Sequence, residues 1–284
     1  MKPRMNKFLF SLIFLSVSFQ VYAQTADKAK DEYEDVPSTY GKQEASKKTI
    51  PSLYCNNHPE IIVAGGIAGA HTRSSHMQVD SLETDTLSQN NSYRWDTGTA
   101  QLGMGYIFYW VDGPWISNEL RWFPTFEPMI NLYYTGYKIK GDVYRFNSVF
   151  LDDTKYITNI RNTRLMLDAA LTIFSKCGFS MYGLLGIGEG WSRLTYSDKM
   201  GTETRISLDA EHESNVVWEF GAGLVYAFDR NFSMSLEYLW TDLGRMKTSS
   251  AGIANGIPSP QLIGADFQVT AQALFLGVHV GLGK

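Results

Sequence analysis

Long hydrophobic runs are scarce in this sequence. After Ala23 no window approaches the roughly 18 uninterrupted apolar residues of a membrane helix, so a helical membrane protein is excluded. Charge of one sign is lacking too. The 25 basic and 29 acidic residues are mixed along the chain, and a formal net charge of −4 gives no footprint for nucleic acid. Cysteine is limited to Cys55 and Cys177. Neither follows the cleavage point expected after Ala23, which speaks against a lipoprotein, and no tight His or Cys spacing marks a metal site. A phosphate loop is missing as well. In MYGLLGIGEGW, Met181 to Trp191, the glycines at 186, 188 and 190 recur every second residue, and Thr195-Tyr196-Ser197-Asp198 follows in place of a helix. No cofactor is expected.

What is present begins with an export signal. Lys2, Arg4 and Lys7 precede the apolar run Phe8 to Phe19, and Val21-Tyr22-Ala23 supplies a signal-peptidase site. Residues 1–23 read as a removed signal peptide. Residues 24–60 are polar, charge-mixed and interrupted by Pro37, Pro51 and Pro59, and read as a flexible periplasmic segment. Residues 61–284 form the third part.

There the period is two. In Trp218 to Phe228, Trp218, Phe220, Ala222, Leu224, Tyr226 and Phe228 share one face, while Glu219, Gly221, Gly223, Val225 and Ala227 share the other. Asp229-Arg230-Asn231 turns the chain into Met234, Leu236, Tyr238 and Trp240. Trp218 and Phe228 lie about 25 Å apart along a tilted barrel axis, the height between two aromatic girdles. The same alternation gives strands near 61–71, 96–110, 115–123, 161–174, 179–194, 216–228, 232–243 and 268–282. Short connections at 111–114, 175–178 and 229–231 alternate with long ones at 72–95, 124–160, 195–215 and 244–267. This is an all-β, eight-stranded antiparallel transmembrane up-and-down β-barrel of a Gram-negative outer membrane, in which a closed sheet pairs every backbone polar group. A soluble β-sandwich or lipocalin-like barrel also alternates, but would carry runs of Lys and Glu outside. Here the polar faces hold isolated charges among Gly, Ala and Ser.

SMYGLLGIGEGW (Ser180 to Trp191), WEFGAGLVYAF (Trp218 to Phe228) and NFSMSLEYLWTDL (Asn231 to Leu243) resemble strands five, six and seven of the OmpX/OmpA-type small outer-membrane barrels, which include opacity-type proteins. The resemblance covers about Ile61 to Lys284 in segment order and spacing. It implies the architecture more than the task.

Four groups of residues are candidates for function. Glu119, Arg121, Arg164, Asp168, Glu219 and Glu237 are expected to point into a narrow lumen as a paired charge network, read as a packed polar core and alternatively as an ion path. His71 and His76 beside Ser74 and Ser75, and His212 within Asp209 to Ser214, are the residues from which a rim hydrolase would be assembled. Such neighbours surround any loop histidine, and no catalytic or metal residue is assigned. Cys55 and Cys177 fall on the periplasmic side. The five residues from Cys55 to Glu60 span about 17 Å, so a disulfide across the barrel base and two free thiols are both open. Tyr133, Tyr134, Tyr137, Tyr144 and Phe146 are expected in a ribbon extending beyond the membrane, suited to binding other surfaces or to covering one another. The reading is a non-enzymatic surface, structural or adhesin-like protein. A small-solute porin is the alternative. Its partners are outer-membrane lipid or lipopolysaccharide and a host or cell-surface ligand, with the chain monomeric.

Overall fold

The computed structural model describes residues 57–78, 84–89, 94–110, 118–144, 154–229, 231–254, 256–259 and 264–282. Eight long strands carry the architecture: β1 (His58–Gln78), β3 (Thr97–Tyr109), β5 (Thr125–Tyr144), β6 (Thr154–Lys176), β7 (Phe179–Met200), β8 (Glu203–Ala227), β9 (Phe232–Lys247) and β12 (Gly264–Gly281). Each pairs antiparallel with its neighbours, in the order β1-β3-β5-β6-β7-β8-β9-β12. The β12–β1 ladder closes the ring without an edge. Short β2 (Thr84–Gln89), β4 (Arg121–Trp122), β10 (Gly252–Ala254) and β11 (Ile257–Ser259) add to it.

Alternation decides which face meets what. On β7, Leu185 and Ile187 stand outward, Leu185 being 69% exposed, while Tyr182, Leu184, Gly186, Gly188, Gly190 and Ser192 face inward. Glycine is used where the interior is crowded. A Cβ on Gly186 would fall on the Asp168 carboxylate, one on Gly223 on the Tyr182 ring, and one on Gly105 on the Glu127 carboxylate. The outer face carries the apolar belt. Its aromatics fall near Trp110, Trp122, Phe123, Phe179, Tyr226 and Phe232 at the turn end, and near Tyr134, Trp191 and Trp218 at the other. That is the double girdle of a membrane barrel.

The third barrel strand lies elsewhere than the alternation of Trp115 to Phe123 indicates. It is β5, Thr125–Tyr144, inside the stretch expected to be a long loop. Only Arg121 and Trp122 of the expected segment pair, against Ser175 and Phe174, before Phe123 turns the chain with φ 50°. The tyrosine ribbon is corrected accordingly. Tyr133 and Tyr137 are buried inside the barrel, and Tyr134 is exposed on the apolar belt. Tyr144 is half-buried on the outer face opposite Thr86. Phe146 lies outside the described residues.

The other long loops are also partly strand. β1 continues to Gln78, and β7 and β8 run on to a tight turn at Gly201, whose φ is +63°. β3 stops at Thr97, opposite Ala68, and beyond it β2 takes its place between β1 and β5. The barrel wall thus continues well past the apolar belt.

Candidate functional site: the barrel lumen

Inward residues sort into layers along the axis. At the turn end an open cavity of about 120 Å³ is bordered by Glu60, Glu127, Tyr182, Ser235, Glu237 and His279. Three strands build its most ordered wall. His279 Nδ1 meets Glu60 Oε1 at 2.6 Å, and Nε2 meets Ser235 Oγ at 2.9 Å. The order carboxylate, imidazole, hydroxyl is that of a nucleophile relay. The Ser235 backbone, however, is laddered to Gly277 on one side and Val225 on the other, which commits its amide to the sheet rather than to an oxyanion. Across the cavity Tyr182 donates its hydroxyl to Glu237 Oε2 at 2.6 Å.

The middle layer is filled. Arg164, 1% exposed, donates from Nε to Glu219 Oε2 at 3.2 Å, and its guanidinium lies 4.2 Å over the Tyr133 ring. Thr241 donates to the same carboxylate oxygen. Asp168 accepts from Asn131 Nδ2 at 2.6 Å and from the Tyr133 hydroxyl at 3.3 Å. Tyr133 packs on Phe275 with ring centroids 5.7 Å apart. Burying ions this deeply is tolerable because each has a partner of good geometry.

Above the apolar belt the lumen becomes apolar. Ile139, Ile160, Leu194, Ile206, Leu208 and Leu243 are buried around a cluster in which Tyr156 stacks on Tyr196 at 5.8 Å and both contact Phe267. A charged cap closes this layer. Arg205 Nη2 donates to Asp198 Oδ2 at 2.8 Å and to Asp85 Oδ2 at 2.9 Å, tying β2 to the β7–β8 hairpin. Asp198 also accepts from the Ile206 backbone N–H and the Tyr196 hydroxyl. Burial works against the Arg205 charge, but the hydrogen bonds and charges of Asp198 and then Asp85 outweigh it and hold the guanidinium above its usual pKa. Burial first, and Asp198 second, push the Tyr196 phenol well above its usual value.

Of the residues singled out from the sequence, Arg164, Asp168, Glu219 and Glu237 share the interior. The structure departs from the expected network at the other two. Glu119 is exposed in the connection before β4, outside the lumen, because the strand it was assigned to does not form. Arg121 is half-buried at the mouth of the turn-end cavity. His71, on β1 opposite Thr270, and His212, on β8 opposite Arg193, are not brought together, and the His76 side chain lies outside the described residues. Cys55 also lies outside them, while Cys177 is exposed at the β6–β7 turn with φ 53°. Missed were Glu60, His279 and Ser235, and Asp85, Asp198 and Arg205. The first three were legible in principle, since Val278 and Val280 outward put His279 inward. The last three fell in stretches read as loop.

A family model described as outer membrane protein beta-barrel domain matches residues 130–272. The chain belongs to this family. It is therefore a protein of the bacterial outer membrane, as its closed ring and double girdle require. No curated protein matches the sequence. Among solved structures, it is similar to the outer membrane protein OprG from Pseudomonas aeruginosa, at 13% identity over 80% of this chain and 98% of that one, with a TM-score of 0.41. It is also similar to Ail of Yersinia pestis, crystallised with the heparin analogue sucrose octasulfate, at 13% identity over 79% and 99%, TM-score 0.34. Neisserial surface protein A is similar at 13% identity over 79% and 98%, TM-score 0.33. This outer-membrane barrel differs from an open pore in having its lumen filled at two separate levels.

Proposed function

We propose that the protein is a non-conducting surface protein whose strands continue outside the membrane as a rigid stalk that presents contact surfaces. The observation that carries this is the packed extension. Tyr156, Tyr196 and Phe267, capped by Asp85, Arg205 and Asp198, occupy the lumen beyond the apolar belt. Long loops of outer-membrane barrels face the cell exterior, which puts this end outside the cell. A stalk with its own core fixes the position of whatever it carries.

Its outer end bears apolar side chains in an aqueous setting. Ile257 is 69% exposed on β11, and Ile253 on β10 and Met200 at the β7–β8 tip are exposed as well. Exposed apolar groups on a rigid support favour binding to another surface, a host or neighbouring-cell ligand being the partner class. A role as a porin would need a continuous lumen, and the turn-end cavity meets the Arg164–Glu219 layer instead. Planar-bilayer recording of refolded protein tests the reading: no stepwise conductance is expected, and discrete open channels from the unaltered chain would overturn it. For the contact role, Ile253→Asp with Ile257→Asp should abolish adhesion of expressing cells to cultured cells or to one another, with barrel folding unchanged. Equal adhesion would remove these residues from the role.

A further inference from the structure

Above the outer aromatic layer, β5 to β8 place positive charge on the outward face in register. Tyr134, Thr163 and Trp191 form one cross-strand row at the belt's upper margin. The next row, about 7 Å along the strands at about 3.3 Å per residue, is Gly136, Arg161, Arg193 and His212. Lys138 follows on β5, opposite Asn159, and Lys140 beyond it, opposite Ile157. Arg161 and Arg193 are both exposed, and they are direct cross-strand partners.

Two like charges directly opposite each other weaken a sheet. Neither arginine has an ion pair among the described residues. Of the outward carboxylates on these strands, Glu189 lies below the row and accepts the Ser214 hydroxyl, while Asp142 lies above it and is engaged by Lys155 at 3.7 Å. The opposite side of the barrel is arranged differently: there the outward Arg245 is paired with Asp266 at 2.7 Å. Open positive charge is thus concentrated on one side, at the depth where headgroups meet an aromatic girdle.

We infer that Arg161 and Arg193, flanked by Lys138 and His212, form a clamp for a phosphate of a phosphorylated glycolipid in the outer leaflet. Guanidinium groups suit this role. Each presents a planar fork to phosphate oxygens, and an anion between the two arginines turns their repulsion into two charge-assisted contacts. The lipid's acyl chains would then lie along Leu165, Leu167, Leu185 and Ile187, which are exposed on the same two strands below. The flat row at Gly136 leaves lateral room for a sugar beside Arg161, since a Cβ added there meets nothing within 4 Å. The site is on the outer wall and is independent of whether the lumen conducts.

The test uses full-length protein refolded in detergent and titrated with bisphosphorylated lipid A, with bound lipid counted by native mass spectrometry. One retained lipid is expected for the unaltered chain. In Arg161→Gln with Arg193→Gln, retention should fall at least tenfold, and fully dephosphorylated lipid A should not be retained by either protein. Arg245→Gln, on the other side, should retain lipid as the unaltered chain does, and heat-modifiable gel mobility shows that each variant has folded. Equal retention by the double variant overturns the clamp. So does equal retention of the dephosphorylated lipid, which would make the contact purely apolar. Displacement by inorganic phosphate at equal concentration would assign the arginines to a free anion and would also overturn the lipid proposal.

Discussion

At the residue scale the interior is governed by how few charges it holds and how tightly each is placed. Arg164 faces Glu219 while its guanidinium lies on Tyr133, so removing it strands a carboxylate inside the barrel. Arg164→Ala should cost about 3–5 kcal/mol of unfolding free energy, the usual range for breaking a buried pair, measured by chemical denaturation in detergent micelles. Denaturation curves that overlay would mean the pair is not a stabilising element. Gly186 sets the complementary constraint. Any side chain there meets Asp168 and Glu219, so Gly186→Val should lower the yield of heat-modifiable barrel more than Gly183→Val, whose Cβ meets open space. These residues were readable because alternation alone decides inside from outside on β6, β8 and β9. Glu119 was not, since its local alternation belongs to a connection whose pairing is decided by residues far away in the chain.

The element scale explains why the third strand was misplaced. β5 carries Pro128, read as a break, and side-by-side apolar pairs at Met129-Ile130 and Tyr133-Tyr134 that blur the period of two. Pro128 is tolerated on the outer face, and Met129 and Tyr133 are apolar because the lumen is packed rather than wet. Beyond the membrane the signal inverts. There the outside is polar and the inside apolar, so β7 and β8 lose their greasy outer face and look like loop. The cap that secures this extension should be separable from the barrel. Arg205→Leu removes charged hydrogen bonds to Asp198 and Asp85, each typically worth about 1.5–3 kcal/mol, and should speed protease cleavage in β2 while leaving gel mobility heat-modifiable. Unchanged cleavage would mean that β2 is held by its ladders alone. Tyr196 adds a pH dependence. Its folded pKa is raised, so its stabilising contribution is complete below the unfolded value of about 10 and is lost as pH rises through the folded value. Cleavage in β2 should therefore increase above about pH 10, and Tyr196→Phe should flatten that rise.

For the whole molecule, two obstructions stand in series along one axis. The Arg164–Glu219 layer lies within the apolar belt, and the Tyr156–Tyr196–Phe267 cluster lies outside it. Resistances in series add, so opening one leaves the other in control. Arg164→Ala alone should be silent in planar bilayers, and so should Tyr156→Ala with Tyr196→Ala, because each leaves an intact plug. Combining all three should produce discrete conductance, provided heat-modifiable mobility shows a folded barrel. This non-additivity distinguishes two seals from one. Conductance in the Arg164 variant alone would mean that the stalk does not seal, and the lumen would then be a gated channel rather than a packed support. A silent triple variant that still folds would instead place a further barrier at the turn end, where Glu60, His279 and Ser235 already join three strands across the cavity.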